Sequence, residues 1–279
     1  MNGTLYLVGT PIGHLGDLSP RAAETLAAVD FIAAEDTRVT LKLLNHLGLK
    51  KPLVSYYEHN RAVSGEKILA RLLSGESCAL VTDAGMPAIS DPGEDLVSLC
   101  AQAGVPVTVI PGPCAAVCAL AVSGLPSGRF TFEGFLSTTA KTRREHLAEL
   151  ADERRTMIFL EAPHKLVRTL RDLLDALGDR RLAVCRELTK IHEEILRTTL
   201  SQALLHYEAN TPRGEFVLIV AGAEKADGPA VGLPEALAAV RRYRDAGLSL
   251  KDAAKRASEE TGFSKKALYD AALKQTEDA

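Results

Sequence analysis

Long apolar runs, paired cysteines and a large excess of charge are all missing from this chain of 279 residues. Its longest small-and-apolar stretch, Cys114 to Val122, falls far short of the roughly 20 residues that a membrane-spanning helix needs. The cysteines are Cys78, Cys100, Cys114, Cys118 and Cys185. They form no CxxC pair and no Cys/His cluster at zinc-like spacing, so no metal site is expected. An odd count reads as reduced thiols in a cytoplasmic protein. The opening MNGTLYLVGTPIG has no basic stretch and is not expected to be a secretory leader. A net charge of −3 argues against a polycation that holds nucleic acid by electrostatics alone, although a local basic face stays open. No internal repeat is visible.

What is present is ordinary soluble-protein composition, 46% apolar and 25% charged, over a length that suits about two domains of ~100–150 residues. Short β-rich apolar runs alternate with helical periodicity from the start. TLYLVG (4–9), VDFIAA (29–34), CALVT (78–82) and VTVI (107–110) read as buried strands, with LVSYY (53–57) weaker. Helices are expected near 20–28, 39–47, 62–74, 93–103 and 113–123. This alternation predicts an α/β fold on a parallel sheet. After a break at SGLPSGR (123–129), strands resume at 130–135, 156–160, 181–186, 193–198 and 215–221. Helices lie near 140–152, 163–176 and 200–208. Some connections here are too short for a helical crossover, so the second sheet is expected to be mixed. A polar linker, AEKADGPAVG (223–232), precedes three helices. The expected division is 1–124, 125–225 and 226–279.

Ligands of open parallel sheets bind beyond the carboxyl ends of the strands, so the loops there are the candidate site. GTPIGHLGD (9–17) is neither GxGxxG nor a Walker A loop. It is a tight turn or a ligand wall. EDTR (35–38) gathers two acids, a hydroxyl and a guanidinium; Arg38 suits phosphate, and Thr37 or Thr40 suits a helix cap. His59, in YYEHN, titrates near neutral pH but reads more simply as a solvated loop residue. In TDAGMPAISDPG (82–93), Asp83 can accept from a ribose diol and Gly85 lets backbone approach a ligand. Pro87 and Pro92 stiffen the loop, and Asp91 reads as the cap of the next helix. In PGPCAAVCALAVSG (111–124), Pro113 suits the first helical position, and the helix start offers backbone N–H groups.

Taken in series, GTPIGHLGD, AAEDTR, TDAGMPAISDPG, PGPCAA, FEGFL, EAPHK and RELTKIHE resemble the tetrapyrrole methylase superfamily over roughly residues 4–222. EDTR and RELTK favour its RNA-modifying branch. The resemblance implies two α/β domains of tetrapyrrole-methylase type followed by a helical tail, and a homodimer. It also implies S-adenosyl-L-methionine as cofactor in the cleft between the domains, and 2′-O-methylation of a cytidine, cytidine 1402, in 16S rRNA of the small ribosomal subunit. Carried over by residue, the cofactor site would draw on Ile12, Asp83, Gly85, Met86, Ile89, Cys114, Ala115, Leu160, Glu161 and Leu188, with RGEFV (213–217) nearby. His14 stands where the family commonly has Asn, and Met86 where Thr is usual.

A ribose hydroxyl needs a proton acceptor to become a nucleophile. Asp36 or Glu35 is expected to accept or orient that proton, with Arg38 and Lys190 on flanking phosphates; an internal ion-pair network is the competing expectation. The tail reads as a helix–turn–helix pattern at 247–275, with Ser249 and Asp252 as a capping box. Lys265, Lys266 and Lys274 are candidates for RNA phosphates. Nine Lys/Arg and nine Asp/Glu beyond residue 225 leave the tail's charge neutral, so packing alone is an equal explanation. Two other functions stay open: methylation of a tetrapyrrole ring, and RNA binding or assembly with a vestigial cofactor site.

Overall fold

The computed structural model describes residues 2–224 and 231–277. In the first half, five strands alternate with helices: β1 (Leu5–Val8), α1 (Pro20–Ala28), β2 (Phe31–Ala34), α2 (Thr37–His46), β3 (Leu53–Ser55), α3 (Arg61–Leu73), β4 (Cys78–Val81), α4 (Glu94–Gln102), β5 (Val107–Ile110) and α5 (Ala115–Ser123). All ladders are parallel, in the order β3-β2-β4-β1-β5. Side chains alternate between the two faces, as the pleat requires. Phe31, Ala33, Cys78 and Leu80 pack with Ile68, Leu72 and Leu96 of α3 and α4. Ile32, Ala34, Ala79 and Val81 pack with Ala22, Leu26 and Leu44 of α1 and α2. The inner strands β2 and β4 are apolar throughout because both of their faces are covered.

The second half contains β6 (Phe130–Phe135), α6 (Ala140–Glu149), β7 (Thr156–Glu161), α7 (Leu166–Leu177), β8 (Arg181–Arg186), β9 (Glu194–Thr199), α8 (Leu200–Ala209) and β10 (Phe216–Val220). Its sheet runs β6-β7-β10-β8-β9 and is mixed, parallel only between β6 and β7. One face carries a core built with α6, α7 and α8, including Phe159, Leu170, Leu173, Val184 and Leu218. The other face is covered by α5, whose Ala116, Ala119 and Leu120 lie on Ile158, Ala183, Val217 and Ile219. The break expected at 123–129 therefore follows a helix that the chain attaches to the first sheet and packing attaches to the second.

Met1–Ala223 form one compact unit and Glu224–Ala279 another. The second is three helices, α9 (Leu233–Asp245), α10 (Leu250–Thr261) and α11 (Lys265–Glu277), around an alanine-rich core of Ala236, Ala253, Ala254 and Ala257 with Leu268. Ser249 caps α10, accepting from Asp252 N, and Gly262 ends it in the left-handed region. Most of the expected linker lies outside the described residues. No described helix is long and apolar enough to cross a membrane.

Three local expectations need correction. The cap of α2 is Asp36, whose carboxylate accepts from Arg38 N at 2.8 Å, and not Thr37 or Thr40: Thr37 is already helical. The residue at the start of α4 is Gly93, at φ +147°, so Asp91 is not its cap. Helix α5 begins at Ala115 behind Cys114, which leaves Pro113 in the approach rather than at the first helical position.

Candidate active site

The loops after β1, β4 and β5 leave adjacent strands and are pinned to one another. Thr10 N donates to Gly85 O at 2.9 Å and Gly85 N to Thr10 O at 3.1 Å, a two-residue antiparallel bridge between the first and fourth loops. Gly9 and Gly112 meet so closely that a Cβ on Gly112 would stand 2.7 Å from Gly9 Cα. The RELTK turn closes in from the second sheet: a Cβ on Gly13 would reach 2.7 Å from Thr189 Oγ1.

Between these loops lies a cavity of about 520 Å³, within the usual range for a small-molecule site. Ile12, Asp83, Gly85, Met86, Ile89, Cys114, Ala115, Leu160, Glu161 and Leu188 all line it. The structure thus gathers in one place the ten positions that the motifs nominate separately. The non-glycine residues at positive φ among the described residues are Ala88, Ser90, Glu187 and Thr189. They flank the two turns that wall this cavity. Each such conformation costs about 1–2 kcal/mol for an L-residue, and strain of this kind concentrates at ligand sites.

Five acidic residues line the cavity: Glu35, Asp83, Asp91, Glu161 and Glu215. Asp83 Oδ1 accepts from Asp36 N at 3.1 Å, and Glu35 Oε2 lies 3.5 Å from Asp83 N, so the ends of β2 and β4 are cross-tied. Burial, and then the negative charge of neighbouring acids, holds Glu35 and Asp83 above their ordinary range. Asp91 is pushed up to about 7, first by burial and then by the charge of Glu35, against a stabilising bond from the Thr82 hydroxyl. Such a wall favours a cation. The Cys185 thiol, also lining the cavity, is pushed by burial to about 11 and serves as apolar surface at neutral pH.

The other expected residues sit differently. Asp36 is not on the cavity wall; Arg38 grips it with Nε at 3.0 Å and Nη2 at 2.6 Å, and the guanidinium holds its carboxyl down at about 2. A carboxylate so acidic is a poor proton acceptor at neutral pH. Arg38 itself is 86% exposed. Lys190 bonds Glu187 and Glu215, each at 2.9 Å, so the ion-pair network expected as the alternative is what forms there. The carboxylate of Glu161 turns to Ala162 N at 2.8 Å and the Thr169 hydroxyl at 2.5 Å. His14 Nδ1 accepts from Gly16 N at 3.1 Å and closes the turn, a bond an Asn side chain could also make. His59 packs edge-on to Tyr57, away from the cavity lining. Lys265 and Lys266, with Lys251 and Tyr269, line a shallow hollow on the helical unit. Among the described residues no cluster could hold a metal ion.

Sequence reasoning missed Asp91, Phe132 and Phe135, which also line the cavity. In the sequence SDPG reads as a helix cap, and nothing in FEGFL marks its rings as cavity-facing.

The model for Tetrapyrrole (Corrin/Porphyrin) Methylases matches residues 4–204. Cobalt precorrin-4 methyltransferase, a cobalamin biosynthetic enzyme, shares the fold at TM-score 0.59 and 18% identity, over 78% of this chain and 94% of that one. Uroporphyrin-III C-methyltransferase from Thermus thermophilus, complexed with S-adenosyl homocysteine, does so at TM-score 0.56 and 19% identity, over 78% and 97%. Fold and cavity together therefore define a methylase of the tetrapyrrole class. Ribosomal RNA small subunit methyltransferase I of Synechocystis sp. is 48% identical over 272 residues, 97% of this chain and 98% of that protein. Its counterpart in Escherichia coli O157:H7 is 46% identical over 278 residues, 98% and 96%. The chain belongs to the ribosomal RNA small subunit methyltransferase I family. A model described as the RsmI C-terminal HTH domain matches residues 231–276. The Thermotoga maritima relative is 47% identical over 222 residues, which are 80% of this chain and all of that protein.

Proposed function

We propose that this chain transfers a methyl group from S-adenosylmethionine to the ribose 2′-hydroxyl of a cytidine in 16S rRNA, acting in the cytoplasm, as a homodimer, on the small ribosomal subunit. The observation that carries the reading is the meeting of ten motif positions at one cavity with five acidic residues on its wall.

The residues present fit the cofactor. S-adenosylmethionine, when bound, supplies an electrophilic methyl group on a positively charged sulfur. Ile12, Cys114, Ala115, Leu160 and Leu188 offer apolar surface for a flat ring, and Gly85, at φ +88°, holds a backbone conformation that L-residues rarely adopt. Asp83 suits ribose hydroxyls or an ammonium, and Glu35 adds negative charge beside it. Glu161 contributes through its backbone, since its carboxylate is already bonded. Positioning in a water-poor cavity supplies much of the rate for an in-line displacement. Asp36 sets α2 and holds Arg38, while Arg38, Lys265 and Lys266 reach RNA phosphates; Lys190, matched by two carboxylates, braces the wall.

Calorimetry with S-adenosylmethionine and mass spectrometry of 16S rRNA from a strain lacking this chain test the reading. Binding, together with loss of one ribose methyl group, is expected. A chain that leaves the rRNA unchanged but methylates a tetrapyrrole overturns it, and so does one that binds RNA and no cofactor.

A further inference from the structure

Phe132 and Phe135 are three residues apart, a spacing that in a regular strand sends side chains to opposite faces. The ladder between β6 and β7 slips by one residue here. Phe132 pairs with Ile158, Gly134 with Phe159 and Phe135 with Leu160. Glu133 is the extra residue, and its carboxylate is tied to His146 Nε2 of α6 at 2.8 Å. A bulge of this kind re-aims neighbouring side chains. Both rings consequently share the face of Ile158 and Leu160, which is the face toward α5 and the cavity. They remain 38% and 54% exposed, beside Ile89 at 51%. Gly134 lies at φ +61°, and a Cβ there would stand 3.3 Å from Ser90 Oγ, so the bulge abuts the strained 88–91 turn.

Asp91 ends that turn. The cavity's other carboxylates are committed to backbone or cationic donors: Glu35 to Asp83 N, Asp83 to Asp36 N, Glu161 to Ala162 N, and Glu215 to Lys190. Asp91 takes the Thr82 hydroxyl and no backbone N–H among the described residues. An acceptor with lone pairs to spare thus sits next to two bare rings.

We propose that this rim receives one nucleotide drawn out of its RNA strand, with the base against Phe132 and Phe135 and the ribose hydroxyl against Asp91, which takes the proton. The proposal rests on the function given above and names the substrate side of the same cavity. A base taken from its stack loses its neighbours, and aromatic side chains are the usual replacement. In the transfer, the hydroxyl O–H bond breaks as the oxygen bonds the methyl carbon. The carbon–sulfur bond breaks with its electron pair left on sulfur, and the proton goes to the Asp91 carboxylate. One cation and one carboxylate become two neutral groups, and the proton then leaves to water.

The test uses the intact chain bound to small ribosomal subunits from a strain lacking it, with S-adenosylhomocysteine present. After ultraviolet irradiation and trypsin digestion, a nucleotide is expected on the peptide 130–141, which holds both rings. Crosslinks only on other peptides, or none while the subunit stays bound, overturn the proposal. In single turnover, Asp91→Asn is expected to slow transfer by roughly 10²–10⁴-fold with S-adenosylmethionine affinity unchanged. The groups facing Asp91 are Glu35, Asp83 and the Thr82 hydroxyl, so its titration follows their charge. The native rate is expected to rise with pH and level off above about 7 as the carboxylate ionises. Asp91→Asn should flatten that rise and Asp91→Glu restore it. A rise that survives Asp91→Asn but disappears in Glu35→Gln assigns the proton elsewhere. If calorimetry finds no cofactor binding, the function itself falls; if methylation stands and these results fail, only this inference does.

Discussion

At Asp36 one side chain does two local jobs. Its carboxylate caps α2 and clamps Arg38. Asp36→Ala is expected to lower stability, as the loss of a helix cap does, and Asp36→Asn by less; urea denaturation followed by circular dichroism reads both. Gly112 is constrained more severely, because a Cβ there would stand 2.7–2.8 Å from the backbone of Gly9. Gly112→Ala should cost about 1–3 kcal/mol, as overpacking does, and weaken cofactor binding by parting the first and fifth loops. Calorimetry and thermal melts check the two effects separately. Residue identity made much of the cavity legible, since its glycines and apolar positions come as motifs in fixed order. It did not reveal Asp91, because SDPG fits a helix cap equally well. What turns that side chain inward is the pair of left-handed residues ahead of it, Ala88 and Ser90, which are of types that rarely adopt this conformation.

Among the elements, strands and helices fall within a few residues of where apolar periodicity places them. Runs buried on both faces and amphipathic helices carry strong signals. The bulge in β6 carries none, since register belongs to two strands together and β7 is read only through its own pattern. Its importance can be tested by deleting Glu133. The ladder would become regular with Phe132 and Phe135 two residues apart and still on one face, so only the bend and added twist that the bulge gives this edge would be lost. The expected outcome is a folded protein whose KM for small subunits rises while its cofactor affinity holds; an unchanged KM would detach the bulge from substrate binding.

At the scale of the whole molecule, the helical unit is a compact unit of its own. The Thermotoga maritima relative is matched along its entire length by 222 residues, which leaves about a fifth of this chain without a counterpart there. That shortfall is close to the size of Glu224–Ala279. We therefore expect a chain truncated after residue 223 to fold, to bind S-adenosylmethionine as the full chain does, and to keep its turnover at saturating substrate. The loss should appear as weaker binding to small subunits, steeper at higher salt if Lys265 and Lys266 hold phosphates. Filter binding across a salt series measures it, and equal affinities would reduce the unit to packing. The three-part division at 124 and 225 is a proposal that the same truncation tests at its second boundary.

The first boundary carries a consequence for anyone recombining relatives of this family. A crossover at residue 124 joins one parent's α5 to the other parent's mixed sheet, so Ala116, Ala119 and Leu120 would meet a floor shaped for different knobs. Moving the junction upstream of Pro111 transfers the helix together with the surface it roofs, and hybrids spliced there should outlive those cut at the visible glycine–serine seam.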